Sequence, residues 1–224
     1  MRFGCLSIVV AIALAIVLPV VFADMLATAL VKLQLSPDAA GMVVFGIFGG
    51  SLINIPVKRI ARPGPLPADP LAIFGLHGTW PTMRQVRSET VVAVNVGGCV
   101  IPVGLALYEV FELASHPAAL AALAAATLVN VGICYLLARP VAGVGIVMPA
   151  LVPAVTACAV ALIAAPSSAT TPIAFVAGVA GPLIGADLLH LSEIERVESG
   201  IVSIGGAGTF DGILLTGILA LYLA

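Results

Sequence analysis

Charge is scarce in this sequence. Nine of its 224 residues are Lys or Arg and eleven are Asp or Glu, so charged residues make up 9% of the chain. A soluble domain carries roughly a quarter, which excludes an ordinary solvated surface. The few cations are dispersed and the net charge is −2, which excludes a basic nucleic-acid-binding face. Cysteine is sparse too. Cys5, Cys99, Cys134 and Cys158 lie in four separate apolar segments without CxxC spacing. That pattern fits small apolar packing and excludes a disulfide framework or a zinc site. His77, His116 and His190 are equally scattered, so no metal or cofactor is expected.

What fills the chain instead is apolar residues, at 61%. Stretches of about 17 to 25 such residues can cross the hydrocarbon core of a bilayer. Seven are present, at 5–23, 38–57, 90–111, 118–138, 143–165, 172–190 and 203–223. The fold class that follows is an all-α integral membrane protein, a single polytopic domain over 1–224, with several spans broken by Gly or Pro. The first segment, with Arg2 and the small-residue ending Val21-Phe22-Ala23, also suits a signal peptide; its length favours a retained helix. Leu26, Leu30 and Leu33 then recur at helical spacing, which predicts a short interfacial helix over 24–34.

Orientation follows the basic residues. Placing the 58–89 loop in the cytoplasm puts Lys58, Arg59, Arg62, Arg84 and Arg87 inside. Alternation adds Arg2, Arg139 and Arg196, and leaves Lys32 outside. The expected protein therefore sits in the inner (plasma) membrane with its amino terminus in the cytoplasm. The loop itself opens with Pro63, Pro65, Pro67 and Pro70. It then predicts a hairpin, with strands at 71–76 and 86–96 about a turn at His77-Gly78-Thr79-Trp80-Pro81.

Against this apolar background the polar intruders carry the information. Asp187 lies near the end of one span and Asp211 inside the next, and an ionisable group at membrane depth marks a site by default. Asn54 and Asn95 lie toward the same inner ends of two other spans. Helix interrupters accompany them: Gly49-Gly50-Ser51, then Asn95-Val96-Gly97-Gly98, then Gly205-Gly206-Ala207-Gly208. Irregular backbone at this depth must be buried in protein or line water. The short inner loop after His190 makes the last two spans antiparallel neighbours, so Asp187 and Asp211 are expected to approach one another.

The run Gly185-Ala186-Asp187-Leu188-Leu189, followed by Ile204-Gly205-Gly206-Ala207-Gly208-Thr209-Phe210-Asp211-Gly212-Ile213, resembles a family of bacterial and archaeal membrane proteins of unknown function. The stretches at Asn54 and Asn95 are similar to the same family, which implies a polytopic fold and no established activity. A second resemblance is to presenilin-type intramembrane aspartyl proteases. In that family an aspartate near the cytosolic end of one helix precedes a Gly-x-Gly-Asp motif on the next, and Pro-Ala-Leu opens another helix. Asp187, Asp211 and Pro149-Ala150-Leu151 follow this theme. The spacing Gly206-x-Gly208-x-x-Asp211 is two residues longer, Pro-Ala-Leu precedes the acids, and Ala186 stands where the family has tyrosine.

The same acids allow two mechanisms. As a protease dyad, Asp187 and Asp211 would share a proton and activate water. Gly205, Gly206 and Gly208 would then let an unwound substrate lie close. As an ion-coupled transporter, the acids would bind a proton or sodium ion with Asn54, Asn95 and opened carbonyls. Partners on these readings are the lipid bilayer and either a membrane-protein substrate or a small cation. A scaffold, with one aspartate capping a helix and the other paired to Arg139 or Arg196, is the third possibility. Glu109, Glu112, Glu193, Glu195 and Glu198 are expected to be solvated.

Overall fold

The structure is a computed structural model and describes residues 5–62, 88–141, 145–193 and 201–224. The expected strand at 71–76, the turn after it and Arg196 lie outside these residues. Helices dominate: α1 (Cys5–Val31), α2 (Pro37–Gly50), α3 (Ile101–Leu113), α4 (Pro117–Leu137), α5 (Leu151–Ala164), α6 (Thr170–Ala180) and α7 (Gly212–Leu223). Two π-helical segments adjoin them, Val96–Val100 before α3 and Gly181–Leu188 after α6.

Each expected span contains a helix, and those at 118–138 and 172–190 are met by helical stretches of spanning length, but others are shorter than expected. Among the described residues four helical stretches are long and apolar enough to cross a membrane: Val10–Val31, Val96–Leu113, Pro117–Leu137 and Thr170–Glu193. The other three, α2, α5 and α7, have 14, 14 and 12 residues. At 1.5 Å per residue they reach only about 18 to 21 Å, short of a core about 30 Å thick. The chain completes those segments as strand and turn, all at one end of the bundle.

That end carries the first correction to an all-α reading. Strands β1 (Asn54–Arg62), β2 (Ser88–Asn95) and β5 (Ile201–Ile204) form a sheet in the order β1-β2-β5. β1 and β2 are antiparallel, from Asn54 opposite Asn95 to Arg62 opposite Ser88, with an irregularity between Pro56 and Lys58. An edge strand with a bulge is where a proline, which lacks a donor, is tolerated. β5 pairs parallel to β2, Val91 opposite Ile201 through Val94 opposite Ile204. β3 (Arg139–Val141) and β4 (Gly145–Val147) form a separate antiparallel pair. The expected hairpin is thus half right: β2 falls within 86–96, but its partner is 54–62, a stretch read as the end of a span and the start of a loop. Gly49-Gly50-Ser51 ends α2, and Ile53 to Val57 is β-branched and proline-containing, which favours extended backbone.

Helix α1 runs unbroken through the segment expected to lie at the interface, because nothing from Asp24 to Val31 interrupts a helix. Leu26, Leu30 and Leu33 are buried in the main core rather than laid on lipid. At the centre stands α6, with Ile173, Ala174, Phe175, Val176, Ala177 and Val179 all buried. A helix apolar all round is one surrounded by others.

Candidate functional site: an acid-lined cavity beneath the sheet

The site is anchored by Asn95, which is fully buried. Its Nδ2 donates to Ser51 O at 2.9 Å and to Asn54 Oδ1 at 3.2 Å, and its Oδ1 accepts from Gly98 N at 2.8 Å. One side chain thereby ties the end of α2, the start of β1 and the π turn that leads into α3. Asn54 Oδ1 also accepts from Ser203 Oγ at 2.6 Å, which joins β5 to the same network.

The glycine clusters of three separate segments close on one another here. A Cβ on Gly98 would strike the backbone carbonyl oxygen of Gly205, and one on Gly97 would strike that of Ile47. Gly205 and Gly208 have φ of +72° and +63°, the left-handed region in which a side chain is strained. They bend the chain from β5 back over the π turn and toward Asp211. The scattered Gly-Gly pattern is therefore one backbone-to-backbone junction. Gly205 and Gly208 are buried within it, against Cys99 and Ser51 respectively, and Gly205 also borders the cavity described below. Gly206 remains exposed.

Asp211 stands at the N-cap of α7 rather than two turns inside a helix. Its Oδ1 accepts from Ile213 N at 2.9 Å and its Oδ2 from Ala207 N at 3.3 Å. The helix begins only at Gly212 because the positive-φ glycines upstream cannot continue it. Asp187 lies on the π-helical segment Gly181–Leu188 and, among the described residues, accepts no hydrogen bond. That segment is seated on α4 by Gly181 and Gly185, whose missing Cβ atoms would overlap Asn130 and the Val131 carbonyl. Asn130 Nδ2 donates to Ala177 O at 2.8 Å. At the far end, His190 Nδ1 lies 2.9 Å from Ala186 O and 3.1 Å from Gly185 O, while its ring packs on Tyr135 at 4.9 Å. The π segment is thus held at both ends, and π-helical turns often occur at functional sites.

Asp187 and Asp211 line one cavity of about 560 Å³, together with Asn54, Ser203, Gly206 and Met148. Both acids are partly exposed to it. Asn95, expected among the ligands, supports the cavity from behind and does not line it. Pro149, Ala150 and Leu151 also stay out of its wall, which is formed by 145–148 just before them. Ala150 O instead accepts from Thr216 Oγ1 at 3.4 Å, and the Leu151 side chain is exposed. Ser203 and His190 were not singled out in the sequence; their signal was only proximity to the two aspartates. Glu109, expected to be solvated, is buried at 6% exposure.

A mostly helical chain that has, among the described residues, four helices long and apolar enough to cross a bilayer, with two acids in a cavity at one end of the bundle, is the class these features define. Residues 47–223 match the model of a family described as "Protein of unknown function (DUF1614)", and the chain belongs to that family. No curated protein and no solved structure matches the chain.

Proposed function

We propose that this protein is an intramembrane aspartyl protease that works from the cytoplasmic end of its bundle in the inner membrane. The observation that carries the reading is the shared cavity: Asp187 and Asp211 line it together, beside the edge strand β5. Two carboxyls in one desolvated site share a proton. The ionised one takes a proton from water, whose oxygen attacks the scissile carbonyl carbon. The protonated one polarises that carbonyl and passes its proton to the leaving nitrogen as the C–N bond breaks. A substrate helix must unwind before this can happen, and an extended segment added alongside an edge strand is a known way to hold one open. The longer Gly-x-Gly-x-x-Asp spacing fits the same reading, since the extra residues form the turn that brings Asp211 to the N-cap.

The test is cleavage of a co-expressed single-span substrate. Asp187→Asn and Asp211→Asn are the informative variants, because asparagine keeps the shape and, at position 211, the helix cap. Each is expected to abolish cleavage while leaving the folded yield unchanged. Undiminished cleavage in either variant ends the reading. The oxygen-rich wall of Asn54, Ser203 and both acids supports a second reading, cation-coupled transport. Its test is a proton- or sodium-driven flux in liposomes that Asp211→Asn removes; vesicles that stay tight under both gradients reject it.

A further inference from the structure

At the opposite end of the bundle lies a second cavity, of about 780 Å³, lined by Lys32, Tyr108, Glu109, Glu112 and His116 among others. It is bounded by the 32–36, 114–116 and 165–169 connections, at the far end of α3 from Asn95. Glu109 and Glu112 project one turn apart from the same face of α3. Glu109 is only 6% exposed, and among the described residues no donor reaches its buried Oε1. A buried carboxylate oxygen without a donor is rare in a native structure and points to a missing partner.

The nearby lysine does not supply that partner. Lys32 Nζ donates to Tyr222 O at 2.8 Å and lies 5.2 Å from the centre of the Tyr222 ring, so it is engaged at the end of α7. Among the described residues no three of His, Cys, Asp and Glu converge as metal ligands. A ligand with its own N–H donors and a single positive charge answers both observations. The cavity is large enough for an organic molecule, its walls include Leu33, Leu113 and Pro166, and Tyr108, which also lines it, is a side chain that suits a cation.

We propose that this cavity binds a small organic ammonium ion, a protonated amine with a short apolar tail, through Glu109 and Glu112. The inference stands apart from the acid-lined cavity at the other end and does not depend on it. Calorimetric titration of the full chain in detergent micelles with n-butylammonium chloride is expected to give saturable binding. Sodium chloride and n-butanol, tested alike, should give none. Glu109→Gln should weaken butylammonium by at least about tenfold, as loss of a charge-assisted hydrogen bond does, and Glu112→Gln should weaken it less. The Asp187→Asn, Asp211→Asn double variant should bind as the wild type does. The proposal is overturned by absence of saturable butylammonium binding, by an equal response to sodium or butanol, or by full affinity in Glu109→Gln. If Glu109→Gln does not yield folded protein, unchanged affinity in Glu112→Gln overturns it instead.

Discussion

At the scale of single residues, the acid-lined end of the molecule is held by atoms that are missing as much as by atoms that are present. Gly98 has no side chain because the Gly205 carbonyl occupies that space, and backbone on both sides leaves little room to yield. Gly98→Ala is expected to destabilise the fold by about 1 to 3 kcal/mol, the range for forced overpacking. Gly49→Ala provides the contrast. It meets nothing within 4 Å in a helix, where alanine is favoured by up to about 1 kcal/mol. Thermal unfolding in detergent should therefore rank Gly98→Ala below wild type and Gly49→Ala at or above it; equal loss in both would contradict the junction. Asn95→Ala should cost about 1 to 3 kcal/mol, since it strips Gly98 N and Asn54 Oδ1 of a buried partner. These roles were unevenly legible. Asp187, Asp211 and Asn54 stood out as polar groups in apolar runs, and all three line the cavity. Asn95 stood out equally yet serves as a clamp, because a polar residue reads the same whether it faces a ligand or the backbone of another segment.

At the scale of elements, the sequence announces apolar runs well and their conformation poorly. The stretch 38–57 is continuous in hydropathy but divides into a helix and a strand at Gly50 to Ile53. Valine and isoleucine satisfy a membrane span and a buried strand equally, so periodicity could not separate them. The pairing of β2 with β5 across more than a hundred residues had no local signal at all. Helix α7 shows the opposite case, where the chemistry at the boundary is readable once its start is known. Asp211 accepts from Ile213 N and closes the first turn. Asp211→Ala is expected to lower stability by about 0.5 to 2 kcal/mol, whereas Asp211→Asn keeps the bond from Ile213 N, gives up only the one from Ala207 N, and should lose less. Chemical unfolding of the two variants checks this, and it separates the structural duty of the residue from its acidity. Identical loss in both would mean that the bond from Ala207 N, rather than the Ile213 cap, holds the turn.

At the scale of the whole molecule, helix lengths and strand positions divide the protein into two unlike ends. Three helices stop short of a bilayer's thickness, and the backbone that continues them pairs into sheets at one end only. Lipid cannot satisfy such backbone, so that end must meet protein and water. Lys58, Arg59 and Arg139 belong to it, and the positive-inside bias predicts that it faces the cytoplasm. At the other end, the 32–36 connection would face outward. Single cysteines report this directly in a Cys5→Ser background, because the other native thiols, Cys99, Cys134 and Cys158, are buried. Lys58 and Asp38 are both exposed and sit at opposite ends. In intact cells a membrane-impermeant maleimide is expected to label Asp38→Cys and to miss Lys58→Cys, which should react only after the membrane is opened. Labelling of both before opening would place the sheet and the acid-lined cavity outside, and would remove cytoplasmic substrates and cytoplasmic protons from either reading of that cavity.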